Sequence, residues 1–308
     1  MSRQKDPTPW RDVHGIVLLD KPQGLSSNQA LQKVRRLYRA AKGGHTGSLD
    51  PLATGLLPVC LGEATKIAGH LLGAAKAYVA GVRLGVTTTT ADAEGEVIDT
   101  RAVPPLDDAA IEHALAPLRG RIRQVPPIYS ALKQDGVPLY RLAREGRPVT
   151  VEAREVEVLR LEIVARDGAD LTLAVECGSG TYVRSLARDL GDALGCGAHL
   201  TALRRTWVEP FRAPAMHTLA ELEAVAAAQG DAGLDALVLS TDAGLAALPL
   251  VALDAAQARA LRQGQPVRLG RAAEPLCRVH DAAGVLAALG EIGADGVLRV
   301  VRGLNLPG

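Results

Sequence analysis

The sequence GGHTGSLDPLATG, residues 43–55, constrains the fold and chemistry of this chain more than any other segment. Its glycines carry no side chain, so a ligand can approach the backbone closely. Asp50 precedes Pro51, and a proline ring pushes the residue before it toward extended geometry. A carboxylate presented on such a loop suits a nucleophile or a general base. The structural alternative is an ordinary helix N-cap at Asp50, with Pro51 as the first helical residue.

Short strands and one amphipathic helix are expected around this loop. GIVLLD at 15–20 predicts a buried strand followed by a turn. Ser26, Ser27 or Asn28 caps the next helix, which covers about 28–42. After the loop we expect a strand in LLPVCLG, a helix in EATKIAGHLLGAA, an alternating strand over 76–86, and a loop, turn and strand in TTTTADAEGEV.

The rest of the chain alternates between regular segments and one irregular one. Residues 119–150 are basic and contain two consecutive prolines, and long loops of this kind are often functional. From about residue 249, short strands predict a small β-rich C-terminal domain. The other expected elements are a helix over 108–118, strands over 151–165 and 170–177, a helix over 182–194 capped by Thr181, and acidic, alanine-rich helices over 218–245.

Residues 178–180, Gly-Ser-Gly, precede a helix start and form a natural anion site. On that helix Arg188 can pair with Asp192, four residues later, in the usual exposed manner. Arg184 has no such neighbour and is free to meet a partner from elsewhere. A solvated helix face is the alternative for both arginines. Tyr78, on the apolar face of its strand, is by default a core tyrosine.

Composition narrows the class of protein. The 308 residues are 47% hydrophobic and 22% charged, which is ordinary for a soluble protein of about two domains. The first fifteen residues lack the apolar stretch of a signal peptide, and no apolar run approaches the ~18 residues that span a bilayer. Four scattered cysteines do not resemble a secreted disulfide framework. We therefore expect a cytoplasmic protein with reduced thiols.

Cofactor and metal motifs are missing from the sequence. Cys196 and His199 are spaced like half of a zinc site, but no second pair follows. The redox CxxC, the dinucleotide GxGxxG and the GxSxG elbow do not occur. We expect neither a metal nor a cofactor.

Charge is distributed unevenly although the net charge is only +1. Nine bases and four acids in residues 1–50 give +5, and six acids with one arginine in 217–260 give −5. The basic excess predicts that RNA or DNA binds the first part of the chain, with a solvated basic face as the alternative. Residues 119–150 interleave aromatic and basic side chains, a pattern that suits single-stranded RNA. They are Tyr129, Tyr140, Lys133, Arg141 and Arg144.

Taken together, these segments closely resemble the bacterial tRNA pseudouridine synthase B (TruB) family from about residue 14 to 212. The motifs occur in one order: LLDKPQGLSSNQAL, GGHTGSLDPLATGLLPVCLGEATKIA, KAYVAGVRLGVTTTTADAEGEV, QVPPIYSALKQDGVPLYRLAREG and CGSGTYVRSLARDLGDALGCGAHLTALRRTWVEPF. The C-terminal part is more loosely similar to the small PUA RNA-binding domain.

The resemblance implies an α+β pseudouridine synthase fold with a mixed, mainly antiparallel sheet. It implies a flexible tail at 1–13 and a catalytic domain at 14–248. A thumb loop is inserted at about 119–150. A PUA-like, β-barrel-like domain is implied at 249–308.

The resemblance also assigns site residues. Asp50 matches the catalytic aspartate, Tyr78 the tyrosine that stacks on the flipped base, and Arg184 the arginine that pairs with the aspartate. The implied substrate-binding residues are His45, which helps to hold flipped-out nucleotides, Asp92, which shares the arginine, Leu203, an apolar wall of the base pocket, and Lys21, Tyr182, Tyr129, Lys133, Arg141 and Arg144. Ser179 departs from the family, because some members have lysine there.

The implied reaction converts uridine to pseudouridine at position 55 in the T-arm loop of tRNA, after the base is flipped out. It is redox-neutral, in keeping with the missing cofactor motifs. Asp50 either attacks C1′ or removes the 2′ proton to give a glycal, and the sequence leaves both open. Arg184 is expected to lower the pKa of Asp50 and so to keep it charged.

Other classes of function are compatible with parts of the pattern. The chain could hold the T arm without catalysis, as an RNA-binding protein or tRNA-folding chaperone. It could also be a guide-RNA-dependent relative within a multi-protein complex. We expect tRNA as the partner of a monomer, with no required protein partner and no membrane association.

Overall fold

A mixed sheet of eight strands forms the centre of the molecule. The computed structural model describes residues 9–73, 75–130, 132–134, 136–147 and 149–307. The strands are β1 (Gly15–Lys21), β2 (Gly43–His45), β3 (Thr54–Leu61), β4 (Lys76–Leu84), β5 (Val86–Thr88), β6 (Val97–Thr100), β7 (Gly120–Gln124), β8 (Lys133–Gln134), β9 (Val137–Pro138), β10 (Arg154–Asp167), β11 (Asp170–Cys177), β12 (Ala198–Val208), β13 (Leu250–Ala252), β14 (Val267–Arg268), β15 (Glu274–His280), β16 (Leu286–Ile292) and β17 (Val297–Gly303).

The order of the large sheet is β1-β3-β12-β4-β11-β10-β7, and β2 also pairs with β3. The β3–β12 contact is parallel, and the other pairings along this order are antiparallel. A separate five-stranded sheet has the order β13-β15-β16-β17-β14. The predicted α+β class, with a mixed and mainly antiparallel sheet and a β-rich C-terminal part, is confirmed.

Seven α-helices pack around these sheets in the described part of the chain. They are α1 (Ser27–Leu37), α2 (Ala68–Leu72), α3 (Asp108–Leu115), α4 (Leu139–Arg144), α5 (Val183–Ala193), α6 (Leu219–Asp235) and α7 (Ala255–Arg262). Short 3₁₀ turns cover Gly62–Lys66, Ala116–Leu118 and Thr241–Leu245.

Strand β1 is apolar from Ile16 to Leu19 because both of its faces are buried there. Val17 and Leu19 pack against helices α1 and α6. Ile16 and Leu18 point the other way, into a cluster with α2 and with Leu286, Leu289 and Leu304 of the C-terminal region. An alternating polar and apolar pattern belongs to strands with one wet face, so its absence from GIVLLD follows from this two-sided burial.

Helices α3 and α5 cover the middle of the large sheet. Their apolar side chains join those of β4 and β11 in one buried cluster, which includes Ile111, Leu115, Leu186, Leu190, Val82, Leu84, Leu171 and Leu173. Tyr78 and Leu203 lie at the edge of this cluster and are only partly buried. The buried core therefore ends at Tyr78 and Leu203.

Helix α1 begins as predicted and ends earlier than predicted. Ser26 is the N-cap, with a capping box to Gln29. The helix ends at Leu37 rather than at residue 42, because Arg39 has φ 50°, a left-handed conformation that a helix cannot continue.

Four other sequence predictions need correction. Residues 43–45 are strand β2, and β3 begins at Thr54, so the predicted loop is shorter at both ends. A 3₁₀ turn at Gly62–Lys66 and the short helix α2 replace the single helix that was predicted over 63–75.

The segment predicted to be irregular begins with a strand, because Gly120–Gln124 is β7, which pairs with β10. Tyr182 is the N-cap of α5 instead of Thr181, whose hydroxyl donates to the Glu157 carbonyl at 3.5 Å. Strand β12 and helix α7 were not predicted.

The opposite charges of the N-terminal part and of 217–260 partly neutralise each other. Arg11 pairs with Asp235 and lies 3.5 Å from an Asp231 oxygen, and Arg39 also pairs with Asp231. The basic excess available to a polyanion is therefore smaller than the sequence count suggests. Lys33 and Arg36 of α1 remain exposed.

Ser26→Ala is expected to lower the free energy of unfolding by about 1 kcal/mol, because the Gln29 amide loses its cap. Urea unfolding measures the change, and Asn28→Ala, which leaves the capping box intact, is the control. A Ser26→Ala chain as stable as the wild type would contradict this account.

Candidate active site

A cavity of about 330 Å³ opens beside the residue 43–55 loop. Its walls come from that loop, from β4 and β12, from the end of β11 and from the start of α5. The lining residues are Gly47, Ser48, Leu49, Asp50, Lys76, Tyr78, Ser130, Gly178, Ser179, Gly180, Thr181, Tyr182, Val183, Arg184, Leu203 and Arg205. The structure thus brings Asp50, Tyr78, Arg184, Leu203 and Tyr182 to one place, as the sequence predicted.

Arg184 is the centre of the polar contacts in this cavity. Its Nη2 lies 2.9 Å from an Asp50 oxygen, and its Nη1 lies 3.2 Å from an Asp92 oxygen. The predicted pairing of this arginine with both acids is therefore present. Arg184 is 6% exposed and Asp92 only 3%, while the Asp50 side chain is 45% exposed. One carboxylate of the pair is thus accessible from the cavity.

The same guanidinium also donates to two backbone carbonyls. Nη1 binds the Thr90 oxygen at 3.1 Å, and Nη2 binds the Tyr129 oxygen at 2.9 Å. Asp92 is fixed in turn by the Thr90 hydroxyl and by the Glu94 amide at 3.1 Å. Arg184 therefore joins the β5–β6 connection, the residue 119–150 segment and the Asp50 loop.

Asp50 is not the cap of a helix. Residues 51–52 form a turn closed by the Ala53 amide, which donates to the Asp50 carbonyl at 3.0 Å. The purely structural interpretation of Asp-Pro is therefore wrong. The carboxylate is available to chemistry rather than used by a helix terminus.

The environment of Asp50 acts on its pKa in both directions. Desolvation raises the pKa, Arg184 and Lys21 lower it, and Asp92 raises it again, so the pKa lies above the ordinary aspartate value. The expected lowering by Arg184 is present, but desolvation and the second acid outweigh it. Arg184 limits the increase.

Tyr78 and Leu203 provide a flat and an apolar wall. They lie on the neighbouring antiparallel strands β4 and β12. In the register of these strands Tyr78 is opposite Arg205, and Leu203 is opposite Ala80. Burial raises the pKa of the Tyr78 phenol, and the Arg205 guanidinium counteracts the increase. Tyr78 is thus neither a simple core tyrosine nor a free surface one.

Two basic residues of the cavity escaped the sequence analysis. Arg205 is 1% exposed, and it donates to the Leu56 carbonyl at 2.7 Å and to the Gly47 carbonyl at 3.3 Å. Lys76 is also buried, and desolvation together with Arg205 lowers its pKa to about 8. Its spacing of two from Tyr78 placed it on the same strand face and could have identified it.

Lys21 and His45 are not among the residues that line the cavity. Lys21 is fully buried, and its ammonium donates to the Pro22 and Leu25 carbonyls at 2.9 and 2.6 Å. Burial lowers its pKa to about 8, although Asp50 and Glu94 act in the opposite direction. Burial and Arg205 also lower the pKa of His45. Contact of the Lys21 side chain with a ligand would require rearrangement, whereas His45 is only partly buried.

The start of the residue 119–150 segment is attached to α5. Gln124 binds the Tyr182 backbone twice, accepting from its amide at 2.8 Å and donating to its carbonyl at 3.1 Å. The Val125 carbonyl accepts from Ser185 at 2.9 Å and from Arg188 at 3.0 Å. Arg188 pairs with Asp189, not with the predicted Asp192.

The predicted RNA-contact residues of this segment are only partly described. Tyr129 is half-buried beside Arg184, and the Arg141 side chain is 68% exposed on α4. The side chains of Lys133, Tyr140 and Arg144 lie outside the described residues. Within the described residues, no helix is both long and apolar enough to span a membrane.

Three family profiles match the chain along most of its length. Residues 35–183 match the TruB family pseudouridylate synthase N-terminal domain. Residues 184–246 match the tRNA pseudouridylate synthase B C-terminal domain. Residues 249–304 match the C-terminal domain of pseudouridine synthase II TruB.

Relatives called tRNA pseudouridine synthase B are similar over nearly the whole chain. The protein of Xanthomonas axonopodis pv. citri is 56% identical and covers 96% of both chains. The protein of Xylella fastidiosa is 54% identical, covering 96% of this chain and 98% of its own. That of Ectopseudomonas mendocina is 52% identical, covering 93% and 94%.

Solved structures share the fold at lower sequence identity. A chain in the crystal structure of a Cbf5-Nop10-Gar1 complex has a TM-score of 0.72 and 24% identity, with 100% of this chain and 92% of that one covered. A chain in the structure of an H/ACA RNP bound to a substrate RNA containing 2′-deoxyuridine has a TM-score of 0.72 and 22% identity, with 99% and 93% covered.

Lys21 is expected to make the free energy of unfolding rise with pH in the alkaline range. Its pKa is about 8 in the folded protein, against 10.5 for an ordinary lysine. Between these values the unfolded chain binds more protons than the folded one, so stability increases with pH across this window and is lowest below it. The full change is about 3 kcal/mol.

Lys21→Met removes this contribution. Between about pH 7.5 and about pH 10, the free energy of unfolding of the wild type should therefore rise relative to that of the variant. Urea unfolding at the two pH values measures the shift. Lys33→Met, at an exposed position of α1, is the control. A difference that does not change with pH would contradict the assignment.

Proposed function

Because the chain belongs to the TruB family of pseudouridylate synthases, we propose that it isomerises uridine 55 in the T-arm loop of tRNA, with Asp50 as the catalytic residue. The observation that carries the proposal is the half-exposed Asp50 carboxylate, held 2.9 Å from the buried Arg184 inside a cavity that Tyr78 and Leu203 also line. The reaction breaks the bond from uracil N1 to ribose C1′ and forms one from C5 to C1′. A proton leaves C5 and one is gained at N1, so no oxidant, reductant or cofactor is needed.

Asp50 starts this reaction in either of two ways. Its carboxylate attacks C1′, or it removes the 2′ proton and gives a glycal. Both require an ionised carboxylate with one oxygen free, and the contact with Arg184 engages one side of the group while the cavity exposes the other. Desolvation raises the pKa of Asp50, and the ion pair with Arg184 opposes the increase and so favours the ionised form that the reaction requires.

Tyr78 stacks on the uracil ring, opposite the apolar side chain of Leu203. Its raised pKa means that the resting side chain is a neutral phenol. The phenol gives its own proton to uracil N1, and the phenolate, which Arg205 across the strands favours, then takes the proton from C5. Lys76, in the same cavity, adds positive charge toward the phosphate backbone.

The target base must leave the stack to reach Asp50, which costs a few kcal/mol that contacts elsewhere have to offset. The residue 119–150 thumb supplies these contacts, because Tyr129 lies beside Arg184 and Arg141 is exposed. His45 and Tyr182 hold neighbouring nucleotides, and Asp92 orients Arg184. Lys133 and Arg144 complete the basic surface that the RNA contacts, whereas the buried Lys21 acts through its charge on Asp50.

The two sheets support a division of the chain into a catalytic domain and an RNA-binding domain. Residues 14–248 form the catalytic domain and 249–308 a PUA-like RNA-binding domain, in keeping with two separate sheets. We place residues 1–13 in a tail, the enzyme in the cytoplasm and the active form as a monomer. The solved Cbf5 complexes share the fold alone, and the chain's own thumb supplies specificity without a guide RNA.

Asp50→Asn is expected to abolish turnover, by more than about a thousandfold, because an amide is neither nucleophile nor base. Release of tritium from C5-labelled uridine in a tRNA transcript measures turnover, and filter binding measures tRNA affinity, which should not change. Asp99→Asn, in the β5–β6 hairpin, is the control.

Pseudouridine formed by pure Asp50→Asn protein in a single turnover would refute the catalytic assignment. A chaperone function predicts a different result: the wild type would accelerate tRNA folding without releasing tritium. Dependence on a guide RNA would appear as an inactive wild type on bare transcript.

Arg184→Lys is expected to lower the single-turnover rate about a hundredfold while the Kd for tRNA changes little. A lysine keeps the charge but cannot reproduce the planar fork that serves Asp50 and Asp92 together. Arg188→Lys, one turn further along α5, is the matched control. A defect confined to Kd would show instead that Arg184 is an RNA backbone contact.

A further inference from the structure

The Ser27 hydroxyl forms an unusual pair of contacts with the Asp50 loop. It accepts from the Leu49 amide at 2.7 Å and donates to the Leu49 carbonyl at 3.0 Å. Ser27 is the first residue of α1 and is 3% exposed. One side chain therefore satisfies both backbone groups of the residue that precedes Asp50.

The other side of Asp50 is held by the same part of the chain. The Gly24 amide donates to the Pro51 carbonyl at 2.8 Å. The Lys21 ammonium binds two carbonyls, Pro22 and Leu25, in the connection between β1 and α1. The start of α1 and this connection thus bind the backbone of Leu49 and Pro51, the residues before and after Asp50.

These backbone hydrogen bonds matter because few contacts hold the Asp50 side chain itself. It is half-exposed, and within the described residues its ion pair is with the Arg184 guanidinium. Its direction is therefore set largely by the backbone at residues 49–51. A displacement of about 1 Å at a reacting group can cost a factor of about 100 in rate.

We propose that Ser27 is a positioning residue for Asp50: its hydroxyl fixes the Leu49 backbone and so aims the carboxylate at the sugar. The role rests on the proposed function, since Asp50 is the group that it serves. Ser27 acts through the loop and does not line the cavity.

The adjacent serine offers a matched control. Ser26 caps the same helix through the Gln29 amide at 3.2 Å and makes its side-chain contacts on the exposed side. Ser26→Ala and Ser27→Ala each remove one hydroxyl at the same helix start. Only the second removes the bonds to Leu49, so the pair separates loss of stability from loss of positioning.

The experiment compares both variants and the wild type by single-turnover tritium release at saturating enzyme, by filter binding of tRNA and by thermal unfolding. Ser27→Ala is expected to react about 10- to 100-fold more slowly, with an unchanged Kd. Ser26→Ala should react at the wild-type rate although it is less stable. Ser27→Cys, whose thiol bonds weakly, should give an intermediate rate.

Equal rates for Ser26→Ala and Ser27→Ala beside an active wild type would overturn the role of Ser27 and leave the proposed function intact. A rate loss matched by an equal loss in Kd would also overturn it. An inactive wild type would refute the proposed function and this role with it. If Ser27→Ala does not fold, Ser27→Cys decides: a slower rate at constant Kd supports the role, and an unchanged rate refutes it.

Discussion

The position of Arg184 is the constraint on which the active site depends. Its guanidinium lies between the buried Asp92 and the accessible Asp50 and also binds two carbonyls from separate segments. A buried cation of this kind is tolerated only when its charge and its donors are satisfied. The β5–β6 connection, the residue 119–150 segment and the residue 43–55 loop therefore have to converge on α5, and their convergence creates the cavity.

The sheet makes that convergence rigid. Strands β1 and β3 are packed on both faces, and β12 pairs in parallel with β3 on one side and antiparallel with β4 on the other. Side chains of β4 and β12 line the same cavity as the Asp50 loop, which connects β2 to β3. Gly55 shows how tight the contact is, since a Cβ there would lie 2.2 Å from the Arg205 carbonyl oxygen. Glycine at this position lets the loop and β12 touch.

Sequence reasoning identified the fold class, the Asp50 loop, Tyr78 and the partners of Arg184, because each depends on a local pattern or on a long motif. It missed Arg205 and Ser27, whose partners are backbone groups distant in sequence and follow no periodicity. It chose the wrong partner for Arg188, because a partly exposed arginine can reach several acids at little difference in energy. It gave the effect of Arg184 on the pKa of Asp50 but not the net increase, because the extent of desolvation is a property of the assembled pocket.

The five-stranded sheet at the end of the chain is not a detachable appendage. Leu286, Leu289 and Leu304 close the cluster that buries Ile16 and Leu18 of β1, and Asp242 binds Arg278 at 2.7 Å and His280 at 2.9 Å. A chain truncated before this sheet would expose the underside of the very strand that leads into the Lys21 turn and Ser27. Loss of activity on truncation would therefore report a loosened scaffold as readily as a lost RNA contact, and only surface substitutions on the sheet can separate the two.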